Sequence, residues 1–279
     1  MTGQAKAMTE PSTAQPTRTR NTDSWFTLAK FFFAAALVAA IIRVLWVEPF
    51  AIPSPSMLPN LVPGDYVAAS KYAYGYSRHS LPFSPGLFSG RILERPAERG
   101  DLVVFKLPRD RQSNFIKRVI GLPGETVQMI DSQIYIDGVA VARQRLPDLM
   151  LPAAMLDNCP TAAGGAMCSV ARYRETLPNG VSYETLDLVV DAPSDTTRAF
   201  EIPAGHYFMM GDNRDVSQDS RKPMSVGVGF VPAENLIGRA DRVIFSFNPD
   251  IPAWKLWRWP EAWRGGRALM PLDQHDGRG

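Results

Sequence analysis

Phe115-Ile116-Lys117-Arg118-Val119-Ile120-Gly121-Leu122-Pro123-Gly124-Glu125 reads as a strand that runs into a turn. Side chains alternate across a strand, so Phe115, Lys117 and Val119 share one face and Ile116, Arg118 and Ile120 the other. Pro then Gly at the centre of residues 122–125 is the pattern of a type II turn. The same grammar recurs on both sides of this stretch. Gly64-Asp65-Tyr66-Val67 and Gly100-Asp101-Leu102-Val103-Val104-Phe105 each put a turn before an apolar run, and residues 133–136, 184–190, 207–210 and 239–247 are further strand candidates. Asp137-Gly138 is a hairpin turn signal between Ile134-Tyr135-Ile136 and Val139. Beyond Pro49 no long stretch keeps a helical period, and 24 prolines in 279 residues oppose a helical bundle. The expected fold is mainly β. Residues 143–200, looser and holding both cysteines, read as a smaller inserted subdomain.

Composition removes several function classes. Thirty Lys and Arg against 28 Asp and Glu leave a net charge of +2, without the basic excess of a nucleic-acid binder. Two cysteines and three histidines, with no CxxC or HExxH spacing, leave no zinc module, and no glycine-rich phosphate loop is present. No metal and no cofactor is expected.

Residues 1–24 are polar and without apolar periodicity, and read as a disordered tail. The 23 residues from 25 to 47 are long enough to span a bilayer, with Lys30 and Arg43 towards the ends and Trp25 and Trp46 where interfacial aromatics belong. Two other readings compete. A cleaved secretory signal would need a small-x-small site, but Trp46, Glu48, Pro49 and Phe50 follow instead. A buried helix of a soluble protein fits poorly with three consecutive phenylalanines and no polar face. The reading adopted is a transmembrane anchor over 25–48. Lys6, Arg18 and Arg20 precede it, Lys30 lies near its N-terminal end, and no Lys or Arg occurs in the twenty residues after Val47, which puts the N-terminus in the cytoplasm and the rest outside. A periplasmic β domain over 49–250 would follow, then a Trp-rich segment over 251–279. In that oxidising compartment Cys159 and Cys168 could pair, or remain two free thiols.

A nucleophile needs an activator. None of His79, His206 and His275 has a convincing partner, and each reads as a surface residue, so a Ser-His-Asp triad finds little support. Lysine is the other base. Near its ordinary pKa of about 10.4 only about one molecule in 2,500 is neutral at pH 7, but burial lowers that pKa because desolvation penalises the ammonium. Lys117 lies between two apolar neighbours with Arg118 turned away. A lone lysine in such a strand more often just reaches solvent.

The surrounding segments lift it above that. Ile52-Pro53-Ser54-Pro55-Ser56-Met57-Leu58-Pro59-Asn60-Leu61, with Pro63-Gly64-Asp65 and Lys71-Tyr72-Ala73-Tyr74-Gly75 after it, resembles the first catalytic box of type I signal peptidases. Arg99–Phe105 with Phe115–Glu125 resembles the box that carries their base, and 211–221 with 230–232 and 236–240 resembles the last. The resemblance spans residues 30–247 and is thin over 143–200. It implies coiled antiparallel sheets and a membrane-anchored serine endopeptidase that removes signal peptides after Ala-x-Ala. It also implies roles. Ser56 is the nucleophile and Lys117 the general base. Ser54, with the Ser56 N–H, holds the oxyanion, and Ser217 orients the lysine. Asp219 and Arg221 form a supporting ion pair; Phe50, Ile52 and Ile116 wall the substrate pockets. Implied partners are signal-peptide-bearing preproteins, the lipid bilayer and the secretion machinery, at the inner membrane as a single-pass protein. Asn60 stands where Thr is common in the family and Val216 where Asn is common, neither expected to touch the dyad. Other readings are a same-dyad relative, such as a self-cleaving repressor or a pilin-processing peptidase, and a tethered β domain that binds peptides without cutting.

Overall fold

The computed structural model describes residues 22–80, 90–156, 167–189, 191–252 and 254–272. One helix, α1 (Thr22–Leu45), precedes sixteen strands. These are β1 (Val47–Ala51), β2 (Asp65–Ser70), β3 (Tyr76–Ser77), β4 (Arg91–Ile92), β5 (Leu102–Lys106), β6 (Asn114–Gly121), β7 (Thr126–Ile130) and β8 (Gln133–Ile136). Then follow β9 (Val139–Ala140), β10 (Ala142–Pro152), β11 (Met167–Thr176), β12 (Ser182–Asp187), β13 (Phe200–Glu201), β14 (His206–Met210), β15 (Val231–Pro232) and β16 (Leu236–Ser246). A four-residue helix, α2 (Trp259–Ala262), comes near the end. The protein is mainly β, and the strand pairings within its sheets are antiparallel.

The largest sheet has the order β1-β2-β16-β5-β6-β14-β15. Three bulges in β16 and one between β14 and β6 add local twist, which is how a long antiparallel strand coils. The turn at 122–125 has Gly124 at φ 88°, as a type II turn requires, and Asp137-Gly138 takes positive φ at both positions, the type I′ hairpin geometry.

Three readings change. Residues 143–200 are not loose: β10, β11 and β12 form a three-stranded sheet there. The edge strand β10 carries Pro147 and Pro152 and a register shift between Leu146 and Leu149, so its burial does not alternate. The strand expected over 184–190 ends at Asp187, because the next two N–H groups, of Leu188 and Val189, are taken by the Asp215 carboxylate at 2.6 and 3.0 Å. His79 is buried, not on the surface, and among the described residues both its ring nitrogens lack a hydrogen-bond partner. Burial, reinforced by the charge of Arg78, pushes its pKa below the ordinary 6.5. His206 opens β14 with Nδ1 at 2.9 Å from the Ala204 carbonyl, and His275 lies outside the described residues. Cys168 is buried and disulfide-bonded; Cys159, the other cysteine of the chain, lies outside the described residues.

Among the described residues no helix is long and apolar enough to cross a membrane; the side chains of Ile41, Ile42 and Val44 in α1 lie outside that set. Val47 already begins β1, an edge strand, which is where a sheet tolerates Pro49.

The loop between β1 and β2 is fixed from both ends. Ile52 N–H bonds the Asp65 carbonyl and Gly64 N–H bonds the Ile52 carbonyl, at 2.8 and 2.9 Å. Met57 is buried in a cluster with Ile52, Leu61, Val67 and Val243, whereas Leu58 enters another with Cys168, Val170 and Leu186 from the inserted sheet. Gly64 has φ 94°, and a Cβ there would lie 1.9 Å from the Phe247 carbonyl oxygen. Gly124 has φ 88° but nothing within 4 Å of such a Cβ. Gly124→Ala should therefore cost only the left-handed penalty, about 1–2 kcal/mol. Gly64→Ala must also displace backbone, and should lower the melting temperature far more; equal melting shifts would show that the loop yields freely.

Candidate active site

Ser56 is the middle residue of a single 3-10 turn, Pro55–Met57. With Met57 and Leu58 committed to two different cores, the turn has little freedom. The Asn213 N–H bonds the Ser56 carbonyl at 3.1 Å, and the Asn213 side-chain amide bonds the Pro55 carbonyl at 3.1 Å. Asn213 thereby holds the turn from outside.

Lys117 comes from β6, where it pairs with Val103 of β5. Its Nζ donates to Ser56 Oγ at 2.6 Å, across 61 residues of sequence. Both side chains are dry: Ser56 is 7% and Lys117 3% exposed. Desolvation lowers the Lys117 pKa to about 8; the negative charges of Asp219 and Asp212 oppose that shift and Arg221 assists it. Arg118 turns away onto the Asp212 carboxylate, with two hydrogen bonds of 2.8 Å, and its guanidinium lies 4.2 Å from the Tyr183 ring centroid.

The other expected site residues fall into three groups. Ser54 Oγ is 3.2 Å from Ser56 Oγ, so two hydroxyls and an amine meet at one point. Phe50, Ile52 and Ile116 line, with Ser54, Ser56 and Lys117, a cleft of about 350 Å³. Asp219 and Arg221 do not line it. They form a buried two-pronged ion pair, both contacts 2.9 Å, and the Gly211 N–H also bonds Asp219 at 3.0 Å. Burial alone would raise the Asp219 pKa, but the Arg221 charge and hydrogen bonds more than offset it and hold the carboxylate below its usual range. Ser217 is fully buried, and its Oγ makes no hydrogen bond to Lys117. It is packed on Gly211, where a Cβ would stand 2.3 Å from Ser217 Oγ and 2.6 Å from the Ser56 carbonyl oxygen. Only glycine lets these two serines approach so closely.

Sequence reading gave no role to several residues that build this site. Asp212, Asn213 and Arg118 are all buried, and Asn60 donates to Asp212 at 2.7 Å and to the Glu184 carbonyl at 2.8 Å. The signal was the run Gly211-Asp212-Asn213-Arg214 directly after an apolar strand, since charges that close to a core are buried only when paired. Asn60 indeed stays clear of the dyad, but Val216 does not: it lines the cleft beside Ser56 and Lys117.

Folding lowers the proton affinity of Lys117, so between about pH 10.5 and about pH 8 the unfolded chain binds a proton that the folded one refuses. Stability falls as pH drops through this window, by about 3 kcal/mol for a shift of this size, and the loss persists below pH 8. Lys117→Met removes the penalty. The variant's stability advantage over the parent should grow as pH falls from 10.5 to 8 and then level off; an advantage independent of pH would mean that the amine is hydrated.

The profile of the family "Signal peptidase, peptidase S26" matches residues 25–245 of the chain. Signal peptidase I of Rickettsia typhi (strain ATCC VR-144 / Wilmington) is 40% identical over 226 residues, covering 78% of this chain and 79% of that protein. Signal peptidase I of Rickettsia prowazekii (strain Madrid E) is 41% identical over 217 residues, 75% and 76% of the two chains. A crystal structure of a signal peptidase I from Enterococcus faecalis V583 aligns with 52% of this chain and 97% of its own at 26% identity, with a TM-score of 0.28. Family profile and relatives agree over most of the length, including every segment that builds the cleft: the chain belongs to the signal peptidase I family, peptidase S26.

Proposed function

We propose that the chain is a membrane-anchored serine endopeptidase that removes signal peptides from exported preproteins, with Ser56 as nucleophile and neutral Lys117 as general base. The observation that carries this is the buried 2.6 Å contact from Lys117 Nζ to Ser56 Oγ. A lysine with pKa about 8 is neutral in about one molecule in ten at pH 7, several hundred times more often than a hydrated one. Neutral Lys117 takes the Ser56 proton as Oγ attacks the scissile carbonyl. The Ser54 hydroxyl and the Ser56 N–H, which as an early N–H of its turn lacks an intrahelical partner, stabilise the oxyanion. The ammonium then protonates the leaving amine. Neutral again, Lys117 deprotonates the water that releases the acyl group. Ser217, buried against Gly211 next to the Ser56 carbonyl, helps fix the turn that carries the nucleophile, and Asp219 is kept from overcharging the site by Arg221. Phe50, Ile52, Ile116 and Val104 give the cleft an apolar wall, in keeping with the apolar alanines of an Ala-x-Ala cleavage segment.

The anchor reading rests on α1. Its 24 residues would span about 36 Å at 1.5 Å each, enough for a hydrocarbon core of about 30 Å. Trp25, Phe26, Phe31, Phe32, Phe33, Leu37 and Val38 are all exposed, which water would oppose and lipid would favour. The basic residues before the helix put its N-terminus in the cytoplasm and the β domain on the outer side. Near the other end of the chain, Trp254 and Trp257 are 68% and 72% exposed beside Lys255 and Arg258, a composition suited to the headgroup layer.

Ser56→Ala, Lys117→Ala and Lys117→Arg should each cut turnover of an Ala-x-Ala preprotein by roughly a thousandfold or more, because a guanidinium cannot deprotonate near neutral pH. A folded Lys117→Arg protein with substantial activity would refute the neutral-lysine mechanism. For the parent, kcat/KM should rise about tenfold per pH unit on the acid side and level off near pH 8, where Lys117 loses its proton. An acid limb centred near pH 6 instead would point to another base. A version lacking residues 1–45 should still float with anionic vesicles, and Trp254→Ser with Trp257→Ser should weaken that flotation while sparing hydrolysis of a short soluble peptide. Unchanged flotation would remove the tryptophans from the membrane contact.

A further inference from the structure

Asp187, Asp195 and Asp215 come from three separate segments and converge on one point. Asp187 ends β12, Asp195 lies in the connection that leads to β13, and Asp215 lies in the loop after β14. One carboxylate oxygen from each lies within 4.8 Å of the other two. Oxygens around a single Ca²⁺, bound at 2.3–2.6 Å, are separated by no more than about 5 Å.

Like charges do not gather without a counter-charge. Arg143 supplies one, 2.9 Å from Asp187 Oδ2, which leaves two negative charges over. The remaining hydrogen bonds do not absorb them. Asp195 Oδ2 accepts from the Ala192 N–H at 2.7 Å, and Asp215 Oδ2 accepts from the N–H groups of Leu188 and Val189. The second oxygen of each of these two residues is buried and, among the described residues, has no hydrogen-bond partner, and Asp195 as a whole is only 4% exposed. A buried carboxylate oxygen without a donor is costly, and two of them on members of one acidic cluster favour a shared positive charge.

We propose that Asp187, Asp195 and Asp215 form a structural binding site for a divalent calcium ion. The donor set is oxygen alone, which suits a hard cation and excludes one that prefers nitrogen or sulfur. Two uncompensated negative charges match a divalent ion, and three carboxylates leave the further positions of a six- to eightfold shell to water and carbonyls. The ion would clasp the end of the inserted sheet to the loop that carries Asp212, Asn213, Ser217 and Asp219. It takes no part in the chemistry of Ser56 and Lys117.

The full chain in detergent, stripped with EGTA and dialysed, is titrated with CaCl₂ by calorimetry, with melting temperature as the second readout. One saturable site per chain is expected, with a melting temperature that rises with calcium concentration as binding to the folded state requires. Asp195→Asn should weaken binding at least tenfold and abolish the rise, and Glu201→Gln, an exposed acid outside the cluster, should change neither. If Asp195→Asn does not fold, Asp187→Asn takes its place with the same expectation. MgCl₂ should bind at least tenfold more weakly than CaCl₂. The proposal falls if no saturable calcium binding is found, if Asp195→Asn or its substitute binds as the parent does, or if magnesium binds equally well. The first of these is the outcome if a proton shared between the carboxylates satisfies the cluster instead.

Discussion

The structure depends on keeping one amine dry. Lys117 can act as a base only if burial withholds the hydration that would hold its proton, and the same burial makes its charged form a cost to the fold. Everything around it works within that tension. Two carboxylates, Asp212 and Asp219, lie near enough to raise the lysine's pKa, and left bare they would restore the ammonium. Each is matched by its own guanidinium, Arg118 for one and Arg221 for the other. The net field at Nζ is small, and desolvation decides.

The geometry of Ser56 has a separate origin. Ser56 is placed by its backbone rather than by its side chain. Met57 and Leu58 pull the turn into two cores, and Asn213 ties both the Pro55 and the Ser56 carbonyls. Asn213 is in turn continuous with Asp212, which Arg118 and Asn60 hold. Arg118 adjoins Lys117 on β6, so one strand fixes both members of the pair: Lys117 directly, and Ser56 through Arg118, Asp212 and Asn213. This explains how a 2.6 Å contact survives across 61 residues without help from a histidine.

How much of this was legible depends on the kind of residue. Strands β2, β5, β6, β8 and β14 were readable because alternation and Gly-Asp or Pro-Gly turns are local signals. Lys117 opposite Ser56 was not local. It came from the resemblance, and periodicity alone said only that the lysine had apolar neighbours. In the inserted sheet only β12 was foreshadowed, by the candidate over 184–190; β10 was missed because a bulge between Leu146 and Leu149 destroys its alternation. His79 was misplaced because a serine-rich flank suggested exposure, whereas its burial comes from long-range packing. The aspartate cluster was invisible, since its members lie 8 and 20 residues apart along the chain and fit no ligand spacing.

The loop from Gly211 to Arg221 shows why the inserted sheet matters to a site it does not line. The Leu186 N–H bonds the Asp212 carbonyl and the Arg214 N–H bonds the Leu186 carbonyl, each at 2.9 Å, so β12 is stitched to the loop beside the residues that clamp Ser56. Arg214 is buried in an ion pair with Glu175 of β11, which Tyr183 of β12 also bonds at 2.9 Å. Asp215 then caps the N–H groups that follow β12. The Leu186, Arg214 and Asp215 hydrogen bonds fix backbone directly, and Gly211, Asn213, Ser217 and Asp219 are carried on that loop. A loop so tied loses little further freedom when substrate arrives. The large sheet supplies Lys117, and the inserted sheet supplies rigidity to the loop that holds the Ser56 turn against it.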